Sequence, residues 1–381
     1  MSSRIYLDYC ATTPVHPDVR SAMLRALDAG FGNPSSMHWA GKDARQMIDL
    51  SRAEIANGIG CLSSEIFFTS GATEADNLAL FGTLRLFPSK DAHLITSAIE
   101  HHAILHAAQR LEQEGYSVTY LPVDEHGLVD PEDVRRAIRP ETKLISIMYV
   151  NNEVGSVQPI AEIGRIAREH TIRFHTDAVQ AIGLFDVNVN DLNVDMLSLS
   201  AHKIYGPKGI GALYVRSALE LVPLILGGPQ EGSLRAGTEN VPGIAGLGAA
   251  MNIVRQHRTE ERVRLLGLKK YLIEGLQAID PDVIVNGQNE NVTPHVLSVS
   301  FVGVDAEMML IHLNSEGIAV SLGSACNSKS IEPSHVLTAM KIPQEQIEST
   351  LRISLGMPTT TDELDTLLDV ITRVLPRVVV Q

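Results

Sequence analysis

Cysteine is scarce in this chain: three residues in 381, at positions 10, 61 and 326. An odd number with no C-x-x-C pair gives no disulfide framework and suits a reducing cytoplasm. Long hydrophobic runs are missing too. The opening stretch M-S-S-R-I-Y-L-D-Y-C carries no apolar run of signal-peptide length, and nothing approaches the ~20 apolar residues of a membrane span. Positive charge is in deficit, with 31 basic against 45 acidic residues and a formal charge of −14. No basic run stands out, so direct binding to a nucleic-acid backbone is disfavoured. Internal repeats, low-complexity tracts and long linkers are absent as well.

What remains is the composition of a folded globular protein, 44% hydrophobic and 20% charged, longer than one core usually supports, so two domains are expected. From about residue 17 to 255, short apolar runs alternate with helical patterns. Asp18–Ala29 follows Pro17, stops at Gly30 and places Val19, Met23, Leu24 and Leu27 on one face; Asp43–Asn57 does the same with Ala44, Met47, Ile48 and Ile55. Ile66–Thr69, His93–Ser97, Leu144–Val150, Arg173–Thr176 and Met196–Ser200 read as buried strands. Strands separated by helices argue for an α/β fold with a mostly parallel sheet covered on both faces.

After about residue 256 the texture changes. Val296–Phe301 alternates, which predicts a half-exposed antiparallel strand. A helix over Ala306–Leu313 and a strand over Ile318–Ser321 follow. Thr360 and Glu363 form a capping box before the stripe Leu364, Leu367, Leu368, Ile371 and Leu375. This region reads as a smaller α+β domain.

Each strand of the first region ends in a polar cluster, and open α/β sheets bind ligands at the carboxyl ends of their strands. After Ile66–Thr69 comes S-G-A-T-E-A-D-N. Gly71 permits a tight turn, and Thr73 starts a helix whose free N–H groups favour an anion; the same residues would also serve as an ordinary threonine cap. The later strands run into Glu100-His101-His102, Asn151-Asn152-Glu153, Asp177-Ala178-Val179-Gln180 and Ala201-His202-Lys203. A lysine and a strand-end aspartate are what pyridoxal phosphate (PLP) chemistry needs: the amine condenses with the aldehyde, and the carboxylate keeps the pyridine nitrogen protonated. Taken singly, Lys203 could be a surface lysine in a turn and Asp177 a helix cap.

Taken together, H-T-D-A-V-Q at 175–180 and S-A-H-K-I-Y-G-P-K-G at 200–209 closely resemble the cofactor motifs of class V aminotransferase-fold enzymes, and more narrowly those of cysteine desulfurases. The likeness extends through Y-L-D-Y-C-A-T-T-P-V, G-N-P-S-S-M-H, F-T-S-G-A-T-E-A-D-N-L-A, E-H-H-A-I-L, V-N-N-E-V-G, R-A-G-T-E-N-V and S-L-G-S-A-C. It implies a PLP-dependent transferase of fold type I. A large domain over 13–255 would hold a mostly parallel seven-stranded sheet, and a smaller α+β domain would comprise 1–12 and 256–381.

The resemblance also implies roles. Lys203 is the cofactor-linked lysine, Asp177 pairs with the pyridinium nitrogen, Gln180 bonds the phenolic oxygen and His101 stacks on the ring. Ala72, Thr73, Ser200 and His202 hold the phosphate. Asn152 lies beside cofactor and substrate, and Arg352 in T-L-R-I-S-L-G clamps the substrate carboxylate. Thr238 reaches the partner's phosphate site, which implies a homodimer.

Cys326 sits in S-L-G-S-A-C-N-S-K-S at 321–330, where seven of ten residues are serine, glycine, alanine or asparagine. That composition predicts an exposed mobile loop, over about 321–333. By residues alone Cys326 could be a free surface thiol. By resemblance it is the nucleophile that takes sulfur from L-cysteine as a persulfide, leaving L-alanine, and passes it to an acceptor protein, a scaffold for iron–sulfur cluster assembly or an RNA or DNA thiolation enzyme. His101 is the candidate base for its proton. The alternatives on the same fold are a selenocysteine lyase and a class V aminotransferase, and a mobile thiol speaks against the latter. A non-catalytic scaffold would not need Lys203, Asp177, Gln180, His101 and Cys326 together.

Cys10 and Cys61 read as structural. His102 and His106, four apart on a helix, lack a third metal ligand in the sequence, so no metal site is expected. G-P-K-G-I-G at 206–211 has neither dinucleotide nor Walker order, so its glycines shape the turn after Lys203. Three places depart from the family pattern: Met357-Pro358 where members often carry arginine and phenylalanine, the weakly basic G-G-P-Q-E-G-S-L-R at 227–235, and Lys329. They bear on which acceptor docks.

Overall fold

In the computed structural model, residues 4–288, 290–322 and 333–379 are described. Cys326 and Lys329 lie outside them. The chain begins with β1 (Ile5–Tyr6), α1 (Pro17–Ala29) and α2 (Trp39–Ile59). There follow β2 (Ile66–Thr69), α3 (Ala72–Leu84), β3 (His93–Ser97), α4 (His102–Gln113), β4 (Ser117–Leu121), α5 (Pro131–Ala137), β5 (Thr142–Ser146), α6 (Ile160–Glu169), β6 (Arg173–Asp177), β7 (Met196–Ser200) and β8 (Gly211–Val215). These strands form one seven-stranded sheet in the order β2-β8-β7-β6-β5-β3-β4, parallel except for β8, which runs against both its neighbours.

The strands alternate between two cores. Leu94, Leu144, Met196 and Leu213 face one cluster, shared with α3 and α4. Ile95, Ile145, Leu197, Ala212 and Tyr214 face the other, shared with α1, α2 and α6. Such two-sided burial makes these strands near-continuous apolar runs. The expected strand Leu144–Val150 ends at Ser146; Tyr149 still donates to the Asp177 carbonyl (2.8 Å), but the Met148 N–H turns to Glu100 and the Asn151 amide to the Ile99 carbonyl.

In α1 the stripe differs from expectation: Val19 and Ala26 are buried, whereas Leu24 and Leu27 face outward. Gly211 is demanded by close approach, since a Cβ there would sit 2.6 Å from the Leu199 carbonyl oxygen. Gly209, at φ +82°, supplies the left-handed turn behind Lys203.

A long helix α7 (Val241–Ile279) packs across α1 and α2 and leads to β9 (Ile284–Val285), β10 (Val296–Ser300), α8 (Ala306–Ser315), β11 (Ile318–Ala319) and β12 (Ser321–Leu322). After these come α9 (His335–Ala339), α10 (Gln344–Glu348), β13 (Thr350–Ser354) and α11 (Thr361–Val374). The antiparallel sheet β12-β13-β10-β9 and a parallel pair of β1 with β11 complete the fold. Strand β10 is buried on both faces, not half-exposed. Its serines are not turned to water: the Asn286 amide donates to Ser298 and Ser300 (3.2 and 2.8 Å), and Ser300 meets Thr350 at 2.6 Å. The apolar face of this sheet joins the same cluster that fills one side of the large sheet, so residues from Ile5 to Val378 share one continuous core.

Candidate active site

Because β2, β3, β5, β6 and β7 run the same way, their carboxyl ends open on one edge, where a cleft of about 630 Å³ is found. Ala72, Thr73, His101, Asn152, Asp177 and Gln180 line it, together with Ser200, His202, Lys203 and Arg352. Ten residues expected at the site from sequence are thus brought together. Thr238 is exposed and does not line the cleft.

Lys203 closes the 3-10 turn Ala201–Lys203 after β7. Its Nζ donates to the carbonyls of Cys10 and Ala11, the latter at 3.0 Å. Tyr205, two residues on, is held at φ +65° by a bond from its N–H to Thr13 Oγ1 (2.8 Å); a bulky residue in that region stores strain, and here it turns the chain sharply behind the lysine. Asp177, at the end of β6, accepts from the Val179 N–H at 2.9 Å. Burial raises its pKa. Asp76 on α3, which the sequence reading gave no role, is also fully buried, and among the described residues neither of its oxygens has a hydrogen-bond partner. Burial and the nearby Asp177 push its carboxyl far up.

At the other end of the cleft α3 begins at Ala72 with Gly71 as its cap, so Thr73 is the second helical residue and not the cap. The first N–H groups of α3 have no helical acceptor, and a Cβ at Gly71 would meet nothing within 4 Å. Glu74, the acid of this first turn, is drawn aside by Arg235 (2.8 Å) and the Ser70 N–H (2.8 Å).

His101 caps α4, its Nδ1 accepting from the Ala103 N–H at 3.1 Å. Burial, and then the positive charge of Lys203, hold its pKa down at about 4. The ring is therefore neutral, with its proton on Nε2. It suits stacking and hydrogen-bond donation from Nε2; acting as a base would require giving up the cap bond.

Arg352 lies on β13, almost fully buried, with Nη2 on Asp8 (2.9 Å) and Nη1 on the Asn152 carbonyl (3.1 Å). Its Nε is buried without a partner among the described residues, which leaves a donor for a carboxylate. Asn151 shapes the turn that presents Asn152, taking the N–H groups of Glu153 and Val154 on its side-chain oxygen (2.8 and 3.0 Å). Asp8, Asp76, Glu153 and the Cys10 carbonyl are site groups that the sequence reading missed. Their signal was their presence in Y-L-D-Y-C, T-E-A-D-N and V-N-N-E-V-G, stretches that carry the family resemblance.

Cys10 is buried, its thiol pushed up by burial, and Cys61 is half-buried with its thiol pushed up to about 12. Both are unsuited to nucleophilic work. His102 and His106 stack at 5.0 Å between ring centres, with His335 on His102 at 4.8 Å. Among the described residues, no group of three or more ligating side chains is arranged for a metal.

The cleft fits pyridoxal phosphate. The buried acids at one end, two of their oxygens orphaned, suit a protonated pyridine nitrogen. The helix N-terminus with His202, Lys203 and Lys208 at its rim suits a phosphate. An amine between them suits an aldehyde.

Comparisons with known proteins agree. The aminotransferase class-V family model matches residues 5–367. The chain is 48% identical over 377 residues to a cysteine desulfurase IscS of Dictyoglomus turgidum, covering 99% of this chain and 96% of the relative. It is 49% identical over 373 residues to a cysteine desulfurase IscS of Methanosarcina thermophila, covering 98% and 92%. Among solved structures, a NifS-like protein superposes with a TM-score of 0.93 at 36% identity, covering 99% of this chain and 100% of its own. SspA in complex with cysteine superposes with a TM-score of 0.82 at 42% identity, covering 93% and 99%.

Proposed function

The chain belongs to the aminotransferase class-V family, and on that premise we propose that it is a PLP-dependent cysteine desulfurase, converting L-cysteine to L-alanine and a persulfide on Cys326. The observation that carries the reading is the convergence of Lys203, the buried Asp177 and the Arg352 donor on one cleft. Relatives named for this activity, alike along nearly the whole chain, support it.

PLP, held by Lys203, Asp177, Gln180 and the start of α3, supplies an electron sink that makes the substrate Cα–H acidic. Arg352, steadied by Asp8, orients the substrate carboxylate. Lys203 Nζ takes the Cα proton and gives it back to Cα as alanine forms. Asp177 would set a negative charge against a protonated pyridine nitrogen, and the neutral His101 would stack on the ring. The substrate C–S bond breaks as its sulfur bonds to the Cys326 sulfur, and the alanine carbon gains the proton that the thiol gave up. S-L-G-S-A-C supports this role for Cys326, which lies outside the described residues.

The finer readings follow the same premise. The protein works as a homodimer: Thr238 is exposed away from its own cleft, and Phe31, Met37 and Trp39 present an apolar surface, Met37 at 90% exposure. Residues 13–255 form the PLP-binding domain, and 1–12 with 256–381 the second, a division that the pairing of β1 with β11 supports. No helix among the described residues is long and apolar enough to cross a membrane; a cytoplasmic setting keeps Cys326 reduced. The sulfur goes to an acceptor protein for iron–sulfur assembly or thiolation.

The test is direct. With PLP-loaded Cys326→Ala, L-cysteine should still perturb the visible spectrum while persulfide and alanine formation stop. An undiminished rate would overturn the role given to Cys326. After borohydride reduction, the native protein should carry PLP through a denaturing column and Lys203→Ala should not, and covalent retention by the variant would remove Lys203 from its place.

A further inference from the structure

His295 precedes β10 and enters no role above, yet it is buried against the back of the cleft, with hydrogen-bond partners on both ring nitrogens. Its Nδ1 lies 2.7 Å from Thr293 Oγ1, and its Nε2 lies 3.1 Å from Gln180 Oε1. The Gln180 amide nitrogen in turn lies 3.1 Å from the Cys10 carbonyl, the same oxygen that Lys203 Nζ reaches.

The direction of every bond in this chain follows from its last member. A carbonyl only accepts, so Gln180 must turn its NH2 toward Cys10. The Gln180 oxygen then faces His295, which must donate from Nε2. Nδ1 is left as an acceptor, and the Thr293 hydroxyl must donate to it. The opposite arrangement would set two carbonyl oxygens 3.1 Å apart in a buried site. Surrounding charge enforces the neutral ring: burial first, then the cations Lys269, Lys203 and Arg352, hold its pKa at about 3. Lys269 is itself tied into the group, donating to the Thr293 carbonyl at 3.0 Å.

We propose that His295 is a positioning residue: with Thr293 it locks the Gln180 amide so that one N–H bonds the Cys10 carbonyl and the other is presented to the phenolic oxygen of PLP. The second half rests on the PLP reading; the first does not. The Cys10 carbonyl sets the sense of the Gln180 amide, and the His295 Nε2–H on its oxygen holds that oxygen away from the phenolate, which it would repel.

Two measurements separate the halves. Nitrogen-15 NMR of the imidazole in the protein without PLP should show the neutral Nε2–H tautomer for His295. An Nδ1–H or doubly protonated ring overturns the lock, whatever the cofactor. In the PLP-loaded protein, His295→Leu and Gln180→Leu should each raise the pH midpoint of the visible band by about half a unit or more, because a donor that favours the phenolate is lost. The double variant should shift no further than Gln180→Leu alone. Additive shifts would mean that His295 acts independently of Gln180, which overturns the proposal. If His295→Leu folds poorly, Thr293→Val serves instead: it frees Nδ1 and should produce a smaller shift of the same sign, and no shift counts against the chain. A correct tautomer with no spectral effect in Gln180→Leu would instead sink the assignment of Gln180 to the phenolic oxygen.

Discussion

Glu153 shows how far burial alters a residue that reads as ordinary in sequence. It lines the cleft and is 5% exposed; its carboxyl accepts from Ser334 Oγ at 2.5 Å, and burial pushes its pKa up to about 7 despite that bond and the nearby Arg352. The folded value exceeds the unfolded one, so the group's contribution to stability is complete below about pH 4.5 and is lost as pH rises through about 7. Glu153→Gln removes that dependence and keeps an acceptor for Ser334. The variant should gain on the native protein between pH 5 and pH 8, by at most about 3 kcal/mol. Chemical denaturation at the two pH values checks it, and a constant difference would mean that the carboxylate is charged throughout. Asp177 and Lys203 belong to the same scale. Each has an innocent reading alone, and the chemistry arises because β6 and β7 end side by side.

Among the elements, α11 behaves as its sequence predicts. The Glu363 N–H bonds Thr360 Oγ1 at 3.3 Å, the Thr360 N–H bonds Glu363 at 3.0 Å, and Leu364, Leu367 and Ile371 are buried beneath. Thr360→Ala should cost ~1 kcal/mol, read as a lower urea midpoint, with catalytic rate unchanged because α11 contributes no residue to the cleft. A loss of activity larger than the loss of stability would tie α11 to the site. Strand β10 makes the opposite point. Its period-2 alternation suggested a wet face, but Asn286 and Thr350 turn the serine face into a buried polar seam. Alternation reports polarity, and a polar side chain can be satisfied by protein as well as by water.

For the whole molecule, one apolar cluster runs beneath both sheets, so the cleft between them rests on a common core. Gln180 from the turn after β6 and Arg352 from β13 reach the same cleft through that packing, and His295 reaches Gln180. The outward face of Phe31 and Trp39, packed edge to face at 6.0 Å and each 68% exposed, is left uncovered by the described residues. If the homodimer proposed above forms through this face, the double variant Phe31→Glu, Trp39→Glu should halve the mass measured by sedimentation and weaken PLP binding. An unchanged mass would place the subunit contact elsewhere.

Periodicity, punctuation and motif order sufficed for the alternating strands and helices, the mostly parallel sheet, and the choice of Lys203, Asp177 and Arg352, which the fold brings to one cleft. These are local signals: a strand end, a cap or a motif states its own geometry. Tertiary structure alone decided the rest. No spacing along the chain links Cys10 to Lys203, Asp8 to Arg352 or His295 to Gln180, pairs separated by 115 to 344 residues. Nor could the outward Leu24 and Leu27 of α1 be told from its buried Val19 by pattern. Hydrogen-bond direction, burial and the pKa shifts that follow depend on what the folded chain places opposite each group, and only packing supplies that.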